Sequence, residues 1–280
     1  MDRSPRWPDY EQLLSMFEHM VDGVLVVDAQ GVIRFANPAA HKLLVGDAHG
    51  LVGEDFGFPV TDGGSVVLDL FGSGTGMRTA EMRVAAIQWE GKKAHLLSLR
   101  DLTERVQLLR QLEHLVNYDT VTGLPTRVLL YEHLAQAIKE ARRHGHTVAL
   151  LFVDLDGFKR INDTLGHASG DALLRLVGQR LQATVREGDN VARLAGDEFT
   201  VTLTQVRAAA DAEAVARKIS QRLAQPYNLG NDSVCTSASI GIALFPQDAD
   251  GPEELIKRAD RAMYRAKALG KETYAFYSPA

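Results

Sequence analysis

Two groups of acids stand where a fold could bring carboxylates together. The first is Arg193-Leu194-Ala195-Gly196-Asp197-Glu198-Phe199. Apolar strand residues flank it on both sides, which makes 195–198 a hairpin tip. Glycine at a tip lets backbone approach a phosphate closely, and two acids beside it can hold a divalent cation. Taken alone, such a tip is more often just a solvated turn. The second group follows the apolar run 148–153 and reads Asp154-Leu155-Asp156-Gly157-Phe158-Lys159-Arg160-Ile161-Asn162-Asp163. Acids at the end of a buried strand suit Mg²⁺, which takes few carboxylates and keeps room for water and phosphate oxygens. Lys159 and Asn162 are three apart on the helix expected next and share a face. A polar strand end before a capped helix is the plainer reading of these residues.

The elements that must position these groups alternate. Helices are expected at 127–144, 158–165, 171–185, 208–225 and 252–269. Strands are expected at 148–154, 191–194, 199–204, 234–244 and 274–277. Such alternation predicts a sheet covered by helices. The first hundred residues differ. A helical pattern over 10–21 leads through Asp22-Gly23 into a strand at 24–27, a turn at Ala29-Gln30-Gly31 and a second strand at 32–35. Asn37-Pro38-Ala39-Ala40 opens a short helical stretch. Strands at 65–71, 78–87 and 94–99 follow, with glycine-rich turns at 72–76 and Gly91. Between the halves, 102–117 lacks Gly and Pro and has apolar residues at 102, 106, 109, 112 and 115/116. That is close to a heptad with a slip, the pattern of a dimeric coiled coil or of a plain amphipathic connector.

The order Asp22-Gly23-Val24, Asp28-Ala29-Gln30-Gly31, Phe35-Ala36-Asn37-Pro38-Ala39-Ala40 and Arg100-Asp101-Leu102-Thr103-Glu104-Arg105 resembles a PAS sensor domain. The second half resembles the GGDEF family of diguanylate cyclases. Besides the two acidic groups it carries four further pieces in family order. These are Tyr118-Asp119-Thr120-Val121-Thr122-Gly123-Leu124-Pro125-Thr126-Arg127, a loop at 162–171, Ser239-Ile240-Gly241-Ile242-Ala243, and a closing segment, 259–271. The fold implied is a two-domain α/β protein. It has a PAS-like antiparallel sheet with helices (10–104), a helical coiled-coil linker (105–117) and a GGDEF, nucleotidyl-cyclase-like α/β sandwich (118–280).

The resemblance implies that the chain condenses two GTP into cyclic di-GMP with release of pyrophosphate. It implies Mg²⁺, replaceable by Mn²⁺, on Asp154, the Leu155 carbonyl and Asp197. Asp197 and Glu198 are the candidate bases and Lys159 the charge-stabilising lysine. Asn162 and Asp171 read guanine; Phe158, Gly196, Lys267 and Lys271 complete the substrate site. Arg186 and Asp189, in Arg186-Glu187-Gly188-Asp189, match a product-binding inhibitory motif, against the plainer reading of a structural salt bridge. A homodimer through linker and PAS domain is implied, because each domain holds one GTP. Three departures stand out: Ala195 for the first signature glycine, Thr126 for asparagine, and Lys271 for arginine. A catalytically silent regulator and a cyclase making an adenine-containing product are the competing readings.

Composition narrows the rest. The 280 residues are 45% hydrophobic and 24% charged, as in globular proteins with real cores. Residues 1–104 hold 9 Lys/Arg against 15 Asp/Glu, and 105–280 hold 22 against 21. Neither half is a basic nucleic-acid footprint. A lone Cys235 excludes an internal disulfide and, lying outside the PAS region, a flavin–cysteine adduct there. No run reaches the ~20 apolar residues of a membrane span, so a cytoplasmic protein without direct membrane insertion is expected. The PAS ligand is open: His41 and His49 are candidate haem ligands by presence alone, Trp89 is a candidate contact, and an empty domain used for dimerisation fits equally.

Overall fold

The computed structural model describes residues 9–279 except 45–49, 61–62, 73–75 and 231. His49 and most of the turn expected at 72–76 lie outside the described residues. Two compact units divide the chain, Met1–Gln111 and Leu112–Ala280.

The N-terminal unit begins with α1 (Tyr10–Glu18), capped reciprocally by Asp9 and Gln12. Strands β1 (Gly23–Asp28) and β2 (Ile33–Ala36) form the expected hairpin, with Gly31 at φ 90°. The Asp28 carboxylate accepts from the backbone of Gln30 and Val32 and so fixes the turn. After α2 (Pro38–Leu44) come β3 (Ser65–Gly72), β4 (Gly76–Trp89) and β5 (Lys92–Asp101). The antiparallel sheet has order β2-β1-β5-β4-β3. Buried Asn37 ties three elements together. Its Oδ1 accepts from Val24 and Ala40 N–H, and its Nδ2 donates to the Phe17 and Asp22 carbonyls. Leu25, Ile33, Met82, Leu97 and Leu99 fill the interior. His41 lies instead on an open surface cleft of about 600 Å³ with Leu14, Phe17 and Phe35. Trp89 leans on Phe35, ring centroids 6.2 Å apart.

Helix α3 (Thr103–Asn117) is continuous across the expected linker and buries none of its residues. Leu108, Leu109, Leu112, Leu115 and Val116 are each about half exposed, at 49–56%.

The C-terminal unit runs α4 (Arg127–His144), β6 (Thr147–Asp156), α5 (Phe158–Leu165), α6 (His167–Gln182), β7 (Asn190–Ala195), β8 (Glu198–Val206), α7 (Ala209–Leu223), β9 (Tyr227–Leu229), β10 (Asp232–Val234), β11 (Ser237–Phe245), α8 (Pro252–Ala268) and β12 (Tyr274–Phe276). Two expectations shift. The loop expected at 162–171 is no loop: Gly166, at φ 83°, breaks one helix and starts the next within a single residue. The strand expected from 234 starts at Ser237, because 232–234 pairs back on 227–229 as a small hairpin.

The main sheet has order β12-β11-β6-β8-β7, antiparallel except for β11 with β12. Side chains alternate across it with period two. On β6, Ala149, Leu151, Val153 and Leu155 enter the core beneath α6 and α7. Val148, Leu150 and Phe152 enter the core beneath α4 and α8. Asp154 continues this second series and emerges on the α4/α8 face. Gly241 of β11 lies on the same face, where α8 rests on it. A Cβ at 241 would meet the Ala259 carbonyl oxygen at 2.0 Å and the Met263 nitrogen at 2.1 Å. Both are backbone atoms and cannot swing away. Gly241→Ala is therefore expected to cost about 3 kcal/mol or more, the upper end of overpacking penalties, measured by urea unfolding. A wild-type midpoint would show that α8 does not rest on the strand.

Candidate active site

Strand register assembles the site. Ser239 of β11 pairs with Asp154 of β6, and Asp154 pairs with Glu198 of β8. Three residues from distant segments thus stand in one row. Beyond the last rung, Leu155 N–H donates to the Asp197 carbonyl at 3.3 Å. A strand residue presents its N–H and C=O to the same side, so the Leu155 carbonyl also points towards the hairpin tip.

The tip is two residues, Gly196 and Asp197, between the paired Ala195 and Glu198. Gly196, at φ 53°, takes the left-handed position. Ala195 does not, and it is exposed; its methyl group therefore strains nothing in the backbone. Arg193 holds the tip from below. Its Nε and Nη2 donate to the Gly196 carbonyl at 3.0 and 2.8 Å, and its Nη1 donates to Asp119 Oδ1 at 2.7 Å. Asp119 also accepts from Thr122 N and Oγ1, and Arg193 N–H donates to the Pro125 carbonyl. The opening motif of this unit and its signature are thereby one structure. Thr126 does not cap α4 with its side chain; its Oγ1 donates to the Val116 carbonyl at 2.7 Å.

Asp154 is buried, and its Oδ2 lies 2.7 Å from Lys267 Nζ. Burial pushes its carboxyl above the ordinary range; Lys267 opposes this, and the charges of Asp197 and Asp156 add to it. Burial also raises Glu198, with Asp154, Asp260 and Asp197 adding and Arg127 opposing. Asp260 is raised by burial against Lys267 and Arg127. Asp260 and Arg127 thus belong to the electrostatics of the site. Both occurred in segments quoted from the sequence, but nothing in those segments alone tied them to the acids. Asp156 takes a different role. It accepts from Ser237 Oγ at 2.7 Å, Ser239 Oγ at 2.9 Å and Glu272 N–H at 3.2 Å, so it fastens the end of β6 to the segment carrying Lys271. Lys271 itself is exposed at φ 66°.

Across the short α5, Lys159 is exposed and Phe158 is buried in the α6/α7 core. Phe158 can offer a ligand its backbone N–H, at the helix start, but not its ring. Asn162 Oδ1 is buried without a hydrogen-bond partner among the described residues. It fills the space beside Gly170, where a Cβ would come within 1.8 Å of it. Asp171 follows on α6, half-buried. An unpaired buried acceptor suits a ligand that brings an N–H donor. The oxygen donors Asp154, Asp197 and Leu155 C=O suit a hard cation such as Mg²⁺.

Arg186 and Asp189 lie elsewhere in this unit. The Asp189 side chain is 5% exposed; it accepts from Thr204 N–H at 3.0 Å and from Arg186 Nε at 3.3 Å. Arg186 also donates to the Thr204 carbonyl. The pair clasps the turn onto β8, which is the structural reading of the motif. Half of the Arg186 side chain nevertheless remains open to solvent, at 57%.

The clasp at Asp119 predicts a pH dependence. Burial pushes this carboxyl up, but the hydrogen bonds from Thr122 and Arg193 outweigh it and hold the carboxyl below its ordinary value. A carboxyl depressed by folding stabilises above its unfolded pKa of about 3.9 and loses that contribution as pH falls through the folded value. Asp119→Asn should cost about 2 kcal/mol at pH 7, the scale of hydrogen bonds to a charged group. The gap from wild type in urea unfolding should close as pH is lowered from 5 to 3. A gap independent of pH would remove the charged clasp.

Comparison with known proteins gives two sequence-family matches. One, described as "Diguanylate cyclase, GGDEF domain", covers residues 116–273; the other, a PAS domain, covers 11–80. The bifunctional diguanylate cyclase/cyclic di-GMP phosphodiesterase MucR of Pseudomonas aeruginosa is 48% identical over 60% of this chain and 24% of MucR. The diguanylate cyclase TpbB of the same organism is 45% identical over 56% of this chain and 36% of TpbB. The crystal structure of the TpbB GGDEF domain superposes with TM-score 0.56 at 41% identity, covering 56% of this chain and 99% of that domain. The coiled coil and GGDEF domain of DgcB from Caulobacter crescentus, solved with cyclic di-GMP, gives TM-score 0.56 at 25% identity over 62% of this chain and 92% of that one. The chain spans about a quarter of the length of the first curated relatives it matches.

Proposed function

Since this chain belongs to the GGDEF family of diguanylate cyclases, we propose that it joins two GTP molecules into cyclic di-GMP and releases two pyrophosphates. The observation that carries the reading is the row formed by Asp154 and Glu198, with the Asp197 tip bonded to Leu155 beside it. Asp154, Asp197 and the Leu155 carbonyl would hold Mg²⁺, with Mn²⁺ as a substitute. Bound there, such an ion neutralises charge that develops on phosphate oxygens.

The chain's own groups do the rest. The 3′-oxygen of each GTP forms a bond to the α-phosphorus of the other as that nucleotide's α–β phosphoanhydride bond breaks, so two bonds form and two pyrophosphates leave. Glu198 takes the 3′-hydroxyl proton, Asp197 being committed to the cation. Lys159, Lys267 and Lys271, with the N–H groups of Phe158 and Gly196, receive the phosphates at a helix start and a glycine tip. Asn162 and Asp171 read the guanine edge. Adenine lacks the adjacent pair of N–H donors that would satisfy both oxygens of the Asp171 carboxylate, which penalises ATP.

Each C-terminal unit holds one GTP, so two chains must face each other, an orientation effect of large size. The half-exposed leucines of α3 support a homodimer through this helix and the PAS domain. The ligand and signal of the PAS domain stay open. No described helix is long and apolar enough to cross a membrane.

The test is incubation with GTP and Mg²⁺, with products identified by mass. Cyclic di-GMP is expected from the wild type, with at least a hundredfold loss in Asp197→Ala/Glu198→Ala. A folded, dimeric, product-stripped protein that makes none would favour the silent regulator. An adenine-containing product in mixed GTP and ATP would favour the second rival.

Feedback by product at the Arg186 motif is part of the same proposal, with Arg186 as the contact and Asp189 as its orienting partner. Asp189→Ala should cost about 1–3 kcal/mol in urea unfolding, the penalty for leaving a buried amide unpaired. Arg186→Ala should cost less, about 1 kcal/mol for the exposed half of the clasp, yet raise the cyclic di-GMP concentration for half-inhibition at least tenfold. Unchanged inhibition in Arg186→Ala would leave the motif purely structural.

A further inference from the structure

The contact between Lys267 and Asp154 is not required by the chemistry proposed above. Asp154 is assigned to the metal and Lys267 to phosphate, yet the two side chains meet each other at 2.7 Å. The fold brings the two within reach of each other. Helix α8 is fixed on β11 by the close approach of Ala259 and Met263 to Gly241. Lys267 stands one turn beyond Met263, so its stem leaves the helix from the same face. That face is the one on which the alternation of β6 places Asp154. The Tyr264 ring, 5.4 Å from Nζ, flanks the ammonium.

The surroundings are anionic. Asp197 and Asp156 act on Asp154, and Asp154, Asp197 and Asp260 act on Glu198, while Lys267 and Arg127 oppose them among the described residues. Lys267 is thus the cation already seated on the most buried of these acids. A divalent ion held by Asp154 would lie within a few ångströms of the ammonium, where like charges repel strongly in a half-buried site. For the ion to bind, Lys267 must leave. Its tether on α8 limits where it can go, and terminal phosphates, to which it is assigned above, would give its charge a new partner.

We propose that Lys267 is a built-in counter-ion that keeps bare divalent cations off Asp154 and yields the site when a nucleoside triphosphate arrives to take the lysine. The inference rests on the metal and phosphate assignments of the proposed function. Metal and nucleotide then bind cooperatively, and by linkage each raises the affinity of the other by the same factor. A site built this way loads metal and triphosphate together and resists free Mg²⁺.

The test reads binding rather than turnover. Free Mn²⁺ is titrated into the full chain by electron paramagnetic resonance, with and without 3′-deoxy-GTP, which cannot react. In wild type, Mn²⁺ alone should bind weakly and the analogue should tighten it at least a hundredfold. Lys267→Met should bind Mn²⁺ alone at least tenfold more tightly than wild type, with the coupling to the analogue reduced by a similar factor. Lys267→Arg should stay close to wild type, and Lys267→Gln gives the same reading as Lys267→Met should the methionine variant fail to fold. Equal or weaker Mn²⁺ binding in both neutral variants overturns the proposal, while a loss of Mn²⁺ in Asp154→Asn would leave the metal assignment standing. If Asp154→Asn binds Mn²⁺ as wild type does with the analogue present, the metal assignment itself fails and takes the counter-ion with it.

Discussion

The pairing register of β11, β6 and β8 is the constraint on which the site depends. It sets Ser239, Asp154 and Glu198 side by side on one face. Because the side-chain period of a strand is two, a slip of one residue would move every member of such a set to the opposite face. Asp154 would then enter the core beneath α6 and α7, and Leu155 would come up among the carboxylates. The apolar series of β6 resists that slip from both sides. Leu151 and Val153 are fully buried in one core, Leu150 and Phe152 in the other. Packing far from the acids therefore decides which acids meet.

Register alone does not place Asp197, which lies past the last rung. That task falls to Arg193, whose guanidinium spans the Gly196 carbonyl and the Asp119 carboxylate. The planar fork of arginine suits two acceptors at fixed positions, which a lysine could not serve in the same way. Asp119 is in turn set by Thr122 and by the turn that closes on Leu124. A motif some seventy residues upstream thus sets the height of the hairpin tip above β6. The opening motif acts here as a support for the signature.

Much of this was legible in the sequence. The alternation on β6, the hairpin around Gly196 and the helix 127–144 follow from local pattern and punctuation, and the structure has them where expected. What was not legible depended on contacts between distant segments. A glycine can mark a loop or a one-residue break, and only the packing of α5 against α6 shows that Gly166 is the latter. The hairpin of β9 and β10 is three residues per strand, too short for a periodic signal. Phe158 reads as part of a ligand motif but faces the core, because the first turn of α5 points inward. Asp189 reads as a ligand contact, yet its carboxylate already serves the Thr204 amide. The two acids of Asp154-Leu155-Asp156 look equivalent in sequence. They differ because Ser237, Ser239 and Glu272 surround one, and Lys267 meets the other.

That difference also shows how the unit tolerates its charge. Gathering Asp154, Glu198 and Asp260 in a half-buried place opposes folding, as their raised carboxyls indicate. A protein can hold such groups only when the surrounding structure over-determines their positions. Here the over-determination is visible in backbone contacts. Gly241 lets α8 touch the sheet, Gly170 leaves room for Asn162, and Gly196 lets the tip turn in two residues. Gly241 and Gly170 each leave out a side chain where a neighbour comes close, and Gly196 supplies the left-handed position of the tip. The stability that holds the acids together resides in the apolar layers on both faces of the sheet. The acids themselves add charge to that frame, and the ammonium of Lys267 meets part of it.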